Sequence, residues 1–267
     1  MTDGPAPYLQ RRNPTAKFVV ALAISLLLVL VIDPITPLLF LGGTLAAGVT
    51  LGHVRVATYA RALTPLITVA AGFLLTNALF AVAPDDTGVL WRWGPLRLTL
   101  PGLLFGLAIG LRGLAIGALS VTFVLTTDPT DLVVSLIRHG RLPFRIGYAL
   151  LAGYRFLPFF AQEFEQVRLA QRVRGQIEQG PPWSGARRRL GYVLPLLASA
   201  VRRAARVAVA MDSRGFAAAR ERTYFRDIPL GRRDTLFAIG ALGAAGGLLA
   251  LSSLAGWLRL WDGRFSA

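Results

Sequence analysis

The chain has 267 residues, 54% of them apolar and 16% charged, with 29 Lys and Arg against 14 Asp and Glu. That balance excludes an ordinary soluble globular domain and reads as an integral membrane protein, a polytopic all-α helix bundle. A net charge of +15 could also suggest nucleic acid, but the arginines are strung along helical patterns between apolar runs, so no nucleic acid partner is expected. There is no cysteine, which rules out disulfides and thiolate metal sites.

Residues 1–15 are polar and carry Arg11, Arg12 and Pro14. Ala16 to Ile32 is nearly unbroken Ala, Val, Leu and Ile, about the length that crosses a hydrocarbon core roughly 30 Å thick. No small-residue cleavage site follows, so this run is expected to remain as a span rather than to be removed as a signal peptide. Asp33-Pro34-Ile35-Thr36-Pro37 breaks the helix, because proline lacks an amide donor and restricts the residue before it. Leu38 to Gly52 returns through the membrane, short enough to need tilt, local thinning or partial re-entry. His53, Arg55 and Arg61 mark an inner loop, and Pro65 to Ala83 forms the next span. Asn77 lies inside that span, where an amide either bonds a neighbouring helix or meets a partner or substrate.

Pro84 to Leu100 holds Asp85, Asp86, Trp91 and Trp93, the composition of an outer loop with interfacial aromatics. Pro101 to Thr126 is the longest apolar run and carries Gly102, Gly106 and Gly110, then Gly113 and Gly117, at four-residue spacings within each set. Such a bare helix strip serves either tight packing inside the bundle or a sliding contact for a separate membrane partner. Arg112 lies mid-run, where a charge is costly enough to be a functional candidate.

Thr127-Asp128-Pro129-Thr130-Asp131 is a helix-entry signal for a short helix, Leu132 to Arg138, that ends near His139-Gly140. After Pro143, the residues Phe156, Phe160, Phe164, Val167 and Ala170 trace an apolar stripe along a helix that closes on Val173-Arg174-Gly175. Gln176 to Gly185 is a polar loop with Pro181-Pro182. A third helix places Leu194, Leu197, Val201, Ala204, Ala208 and Met211 on one side, displaces Arg202, Arg203 and Arg206 from it, and closes on Ser213-Arg214-Gly215. Thr235 to Trp257 is a final span rich in Gly, Ala and Leu.

These elements divide into an N-terminal bundle of four spans (1–126), a cytoplasmic helical region (127–234) and a last span with its tail (235–267). Of the 29 Lys and Arg, 19 fall between Thr127 and Asp234, the excess that marks the cytoplasmic side. Five crossings then put the N-terminus inside and the C-terminus outside, in the cell membrane.

Enzymatic motifs are missing. There is no Gly-x4-Gly-Lys-Ser/Thr phosphate loop, and the single lysine, Lys17, opens the first span. His53 and His139 have no ligand-spaced neighbours, Glu163 and Glu165 fall on different sides of a helix, and no Gly-x-Ser-x-Gly elbow occurs. A non-catalytic chain with no cofactor of its own is expected. Two rivals are a membrane-embedded enzyme holding an anionic lipid or prenyl substrate with Arg112 and Asn77, and an insertase-like scaffold with Arg112 in a hydrophilic groove.

An Arg in a last helical turn followed by Gly has a local explanation, since the cation suits the negative end of the helix dipole and Gly tolerates the left-handed cap. The device occurs twice, however, 40 residues apart, on helices separated by a Pro-rich hinge. A planar guanidinium at a helix tip can make a two-pronged bond to a carboxylate in a partner's groove, and two tips suit two equivalent partners.

The ordered set Thr126-Thr127-Asp128-Pro129-Thr130-Asp131-Leu132, Arg155-Phe156-Leu157-Pro158 with Glu163 and Glu165, Arg172-Val173-Arg174-Gly175, and Ala210-Met211-Asp212-Ser213-Arg214-Gly215-Phe216 resembles the transmembrane T component of energy-coupling factor transporters. The resemblance implies three cytoplasmic coupling helices at about 129–139, 144–175 and 187–216. It implies that Arg174 and Arg214, with their glycines, seat in two ATP-binding-cassette ATPases that carry ATP and Mg. It further implies a membrane S component that binds the vitamin or metal ion and rests on the coupling helices; Leu194, Leu197, Val201 and the strip Gly102, Gly106, Gly110 are the candidate contacts. The first position of each family Ala-Arg-Gly signature is here Val173 or Ser213.

Overall fold

The computed structural model describes residues 7–80, 89–93, 96–173, 184–216 and 228–256. Among these residues eight helices follow in order: α1 (Pro14–Val29), α2 (Ile35–Thr50), α3 (Val56–Phe80), α4 (Leu100–Thr126), α5 (Pro129–His139), α6 (Phe144–Val173), α7 (Ser184–Ser213) and α8 (Arg232–Leu254). A two-stranded antiparallel hairpin, β1 (Val89–Trp93) and β2 (Leu96–Thr99), precedes α4 where a plain loop was expected. Its signal is the period-two alternation in Trp91-Arg92-Trp93 and Leu96-Arg97-Leu98-Thr99 around Gly94-Pro95.

The chain forms two compact units, one of residues 1–141 with 228–267, the other of 142–227. In the first, α3, α4 and α8 are each long and apolar enough to cross a membrane by length and composition. The helices α1 and α2, 16 residues each, extend about 24 Å. Their brevity comes from the break at Asp33-Pro34: α1 ends at Val29, and Asp33 Oδ2 accepts from Thr36 N at 2.6 Å to start α2. The helix α3 begins nine residues before Pro65, so Arg61 lies on the helix rather than in the expected loop. Pro65 deprives only one carbonyl of its donor and is carried inside the helix.

The helices α3 and α4 run antiparallel in close contact. A Cβ built at Gly106 would come within 2.9 Å of Leu74 Cα, and one at Gly110 within 3.2 Å of Ala70 Cβ. At the other end of this pair the Tyr59 hydroxyl meets Thr122 Oγ1 at 2.6 Å. Val20, Ile24 and Leu28 of α1, Phe40 of α2, Ala115 of α4 and Ala245 of α8 form a buried apolar core. Toward the far end, the hydroxyls of Thr36 and Ser252 join α2 to α8.

At the opposite end sits a buried polar cluster. Asn13 caps α1, its side chain accepting from Thr15 N at 2.9 Å and from Ser135 Oγ at 2.7 Å, while its own N–H donates to Asp234 Oδ1 at 3.0 Å. Thr15 and Ser135 share a 2.7 Å hydroxyl contact, and Lys17 Nζ donates to the Thr126 carbonyl at 2.6 Å. Together these bonds tie the starts of α1 and α8, the end of α4 and the middle of α5 into one layer. The entry signal for α5 is realised in full: Asp128 accepts from Thr130 N and Asp131 N, Pro129 is in the first turn, and Arg138 and His139 fill the last.

Candidate functional site

The second unit is a hairpin of two 30-residue helices, α6 and α7, each about 45 Å long. They run antiparallel: Phe164 meets Tyr192, Glu163 lies 4.0 Å from Arg203 Nη2, and Phe216 meets Phe144 and Tyr148. Midway, the Arg203 guanidinium stands 5.8 Å over the Phe156 ring and 5.5 Å over Phe159, adding cation–π contacts to its carboxylate partner. Glu165 turns away and lies 3.5 Å from Arg168 on its own helix, so the two glutamates do not form a pair.

At the end of α7 the Schellman geometry is complete. Gly215 adopts φ +75°, its N–H donates to the Asp212 carbonyl at 2.9 Å, and the Phe216 N–H reaches back to Met211 at 3.0 Å. Nothing lies within 4 Å of a Cβ built on Gly215, so the requirement for glycine is the backbone angle itself. Arg214 sits one residue before this reversal, exposed, and among the described residues its guanidinium has no ion-pair or hydrogen-bond partner. At the end of α6, Val173 is 89% exposed; Arg174 and Gly175 lie outside the described residues. Because the helices are antiparallel, the α6 terminus at Val173 and the α7 terminus at Ser213 mark opposite ends of the hairpin.

The face of α7 turned from α6 is apolar and open. Leu194, Leu197 and Val201 are 73%, 56% and 67% exposed. At 100° per residue they sit roughly 120° to 180° around the helix from Arg203, which faces α6. The glycines named with them as candidate contacts pack inside the first unit. Gly102, Gly106 and Gly110 are buried, and the last two are filled by α3, so that strip is occupied within the chain.

Arg112 and Asn77, grouped by sequence as a possible anion site, do not converge. Asn77 sits on α3 against Gly106 and donates to its own helix at the Phe73 carbonyl, 2.8 Å away. Arg112 lies roughly 120° to 160° around α4 from Gly106 and Gly110 and reaches the Val29 carbonyl at the end of α1, 3.4 Å away. A cation there suits the negative end of α1. Its level is the one at which α1 stops, about 21 Å along α4 from Thr126.

His53, at φ +51°, follows α2, and His139 closes α5; among the described residues no group of three His, Cys, Asp or Glu could hold a metal. Sequence reasoning assigned no role to Phe144, Tyr148 and Phe216. The apolar residue immediately after an Arg-Gly cap was the available signal, since the residue directly following a Schellman glycine commonly makes an apolar contact.

The sequence pattern of the family described as CbiQ, cobalt transport protein, matches residues 6–225. The energy-coupling factor transporter transmembrane protein EcfT of Streptococcus thermophilus is 30% identical over 244 residues, covering 88% of this chain and 90% of the relative. Its counterpart in Limosilactobacillus fermentum is 29% identical over 236 residues, covering 85% and 87%. That of Exiguobacterium sibiricum is 28% identical over 248 residues, covering 88% and 93%.

Proposed function

Since the chain belongs to the CbiQ family, whose matched relatives are transmembrane proteins of energy-coupling factor transporters, we propose that it is the scaffold joining two ATP-binding-cassette ATPases to a substrate-binding membrane subunit. It is a membrane transport component and not an enzyme. ATP and Mg belong to the ATPases; the vitamin or transition-metal ion belongs to the S component. In this reading five helices cross the membrane, with α1 and α2 as short spans, the N-terminus is inside, and the segment 127–234 is cytoplasmic. The arginine excess between Thr127 and Asp234 supports that orientation.

The observation that carries the proposal is the α7 end: an exposed guanidinium without a partner among the described residues, carried on a closed Schellman cap. Such a rigid cationic tip suits a carboxylate in a partner's groove. Arg174 is proposed to play the same part at the end of α6, with Val173, Gly175, Ser213 and Gly215 setting the backbone around the two arginines. When the ATPases close on ATP, the displacement passes through both tips into the hairpin and to the subunit resting on Leu194, Leu197 and Val201. The glycine strip contributes to this indirectly, by holding α4 against α3.

The apolar face is tested apart from the tips. Replacing Leu194, Leu197 and Val201 together by Ser is expected to release the S component from the purified complex and lower uptake by roughly tenfold or more, since each truncated apolar anchor weakens such a contact by about 1 kcal/mol. The two ATPases should still copurify. Loss of the ATPases with the S component retained would contradict the assignment of this face.

A further inference from the structure

We propose that Phe216 is the positioning residue of the Arg214 tip, fixing the direction in which the guanidinium leaves α7 by lodging its ring between Phe144 and Tyr148 at the start of α6. The inference rests on the reading of Arg214 as the ATPase contact.

Directly after Arg214 the chain reverses at the left-handed Gly215. The last carbonyls of a helix have no intrahelical donor, so its final turn is held by partners from beyond its end. Phe216 supplies that hold twice. Its N–H closes onto the Met211 carbonyl at 3.0 Å, and its ring packs edge-on against Phe144 (5.6 Å between centroids, 66°) and Tyr148 (5.6 Å, 83°). Both are preferred aromatic geometries. Phe144 and Tyr148 are four residues apart on α6, so they offer one ring slot on a single helix face. Phe216 is half-buried, whereas Arg214 and Gly215 beside it are exposed.

A cap alone would stop α7 but would leave its last turn free to swing relative to α6. The ring slot removes that freedom and ties the position of the Arg214 backbone to the first two turns of α6. A guanidinium binds a carboxylate in two-pronged fashion only when its plane is directed, so this constraint bears on how firmly Arg214 can hold a partner and transmit its motion. Phe216 need touch no partner itself; it acts through Arg214.

The test uses the full chain co-expressed with its ATPase and S subunits, purified in detergent and reconstituted in vesicles. The readouts are ATPase retention and substrate taken up per ATP hydrolysed. Phe216→Ala is expected to weaken ATPase retention roughly tenfold and to lower uptake per ATP, while Phe216→Tyr, which keeps the ring, restores both. In an Arg214→Ala background, Phe216→Ala should add no further loss, because its effect passes through the guanidinium. If Phe216→Ala yields too little complex, Tyr148→Ala removes one wall of the slot and should give the same non-additive pattern.

Wild-type retention and coupling in Phe216→Ala, with Arg214→Ala still defective, would overturn the positioning role alone. A further loss in the double variant would also overturn it, because Phe216 would then act independently of Arg214. Wild-type behaviour of Arg214→Ala would instead remove the reading on which the inference rests.

Discussion

Replacing Arg174 and Arg214 together by alanine is expected to release both ATPases from the purified complex and abolish energised uptake, with the chain itself still accumulating in the membrane. Arg214 is exposed at the tip of α7, and among the described residues its guanidinium has no ion-pair or hydrogen-bond partner, so truncating it removes no side-chain bond seen there. In the proposed complex the same side chain becomes one member of a buried charged pair. Stripping one member of such a pair costs on the order of 3–5 kcal/mol, because the remaining carboxylate stays desolvated and unpaired. Each arginine would therefore account for a loss of roughly a hundredfold or more in assembly. The described ends of α6 at Val173 and of α7 at Ser213 lie at opposite ends of an antiparallel hairpin, and each arginine is the next residue in the sequence, so each single substitution should weaken one ATPase contact and leave the other. Undiminished ATPase content and uptake in the double variant would remove the coupling role of both.

The second large effect is expected within the membrane bundle, where Gly106→Leu should destabilise the protein by about 3 kcal/mol or more. The atoms a Cβ would meet there are Leu74 Cα at 2.9 Å, Leu74 O at 3.0 Å and Asn77 Cβ at 3.1 Å. Two of these are backbone and cannot rotate away, so α3 would have to separate from α4. Gly113 is the control: nothing lies within 4 Å of its built Cβ, and Gly113→Leu should be tolerated. Heating the detergent-purified variants and following the monodisperse fraction checks this. Equal loss for both substitutions would contradict the assignment of the seam to Gly106.

That contrast shows what the sequence could and could not express. Gly106 and Gly113 belong to neighbouring four-residue series and look alike on paper; only the approach of α3 separates them. The strip was legible as a close-contact device, with packing inside the bundle as one of its two readings, and α3 of the same chain lies against it. Local chemistry read more fully. The capping signal at Asp128-Pro129, the termination of α1 before Asp33-Pro34 and the closure of α7 at Gly215 follow from rules that act within a few residues.

Features fixed by tertiary packing were less accessible. The helix α3 starts before Pro65, because one missing amide does not outweigh its continuous contact with α4. Arg112 stands at the centre of its apolar run, but its level is set by where α1 ends, and Val29 supplies a carbonyl there. The helix α5, grouped by charge with the two long helices, is bound by Ser135 to Thr15 and Asn13 in the first unit. Phe216 was visible only as the last letter of a motif; its ring slot depends on Phe144 and Tyr148, about 70 residues earlier.

Because the chain contains no cysteine, Ser213→Cys places a single thiol beside an intact Arg214. A short heterobifunctional crosslinker with one thiol-reactive and one photoreactive arm, applied to membranes holding the whole complex, then asks what lies against the α7 tip. The predicted product is an adduct of this chain with one ATPase subunit, its yield changing when ATP is added. Adducts formed solely with lipid or with further copies of this chain, unaffected by nucleotide, would contradict the coupling account at its centre.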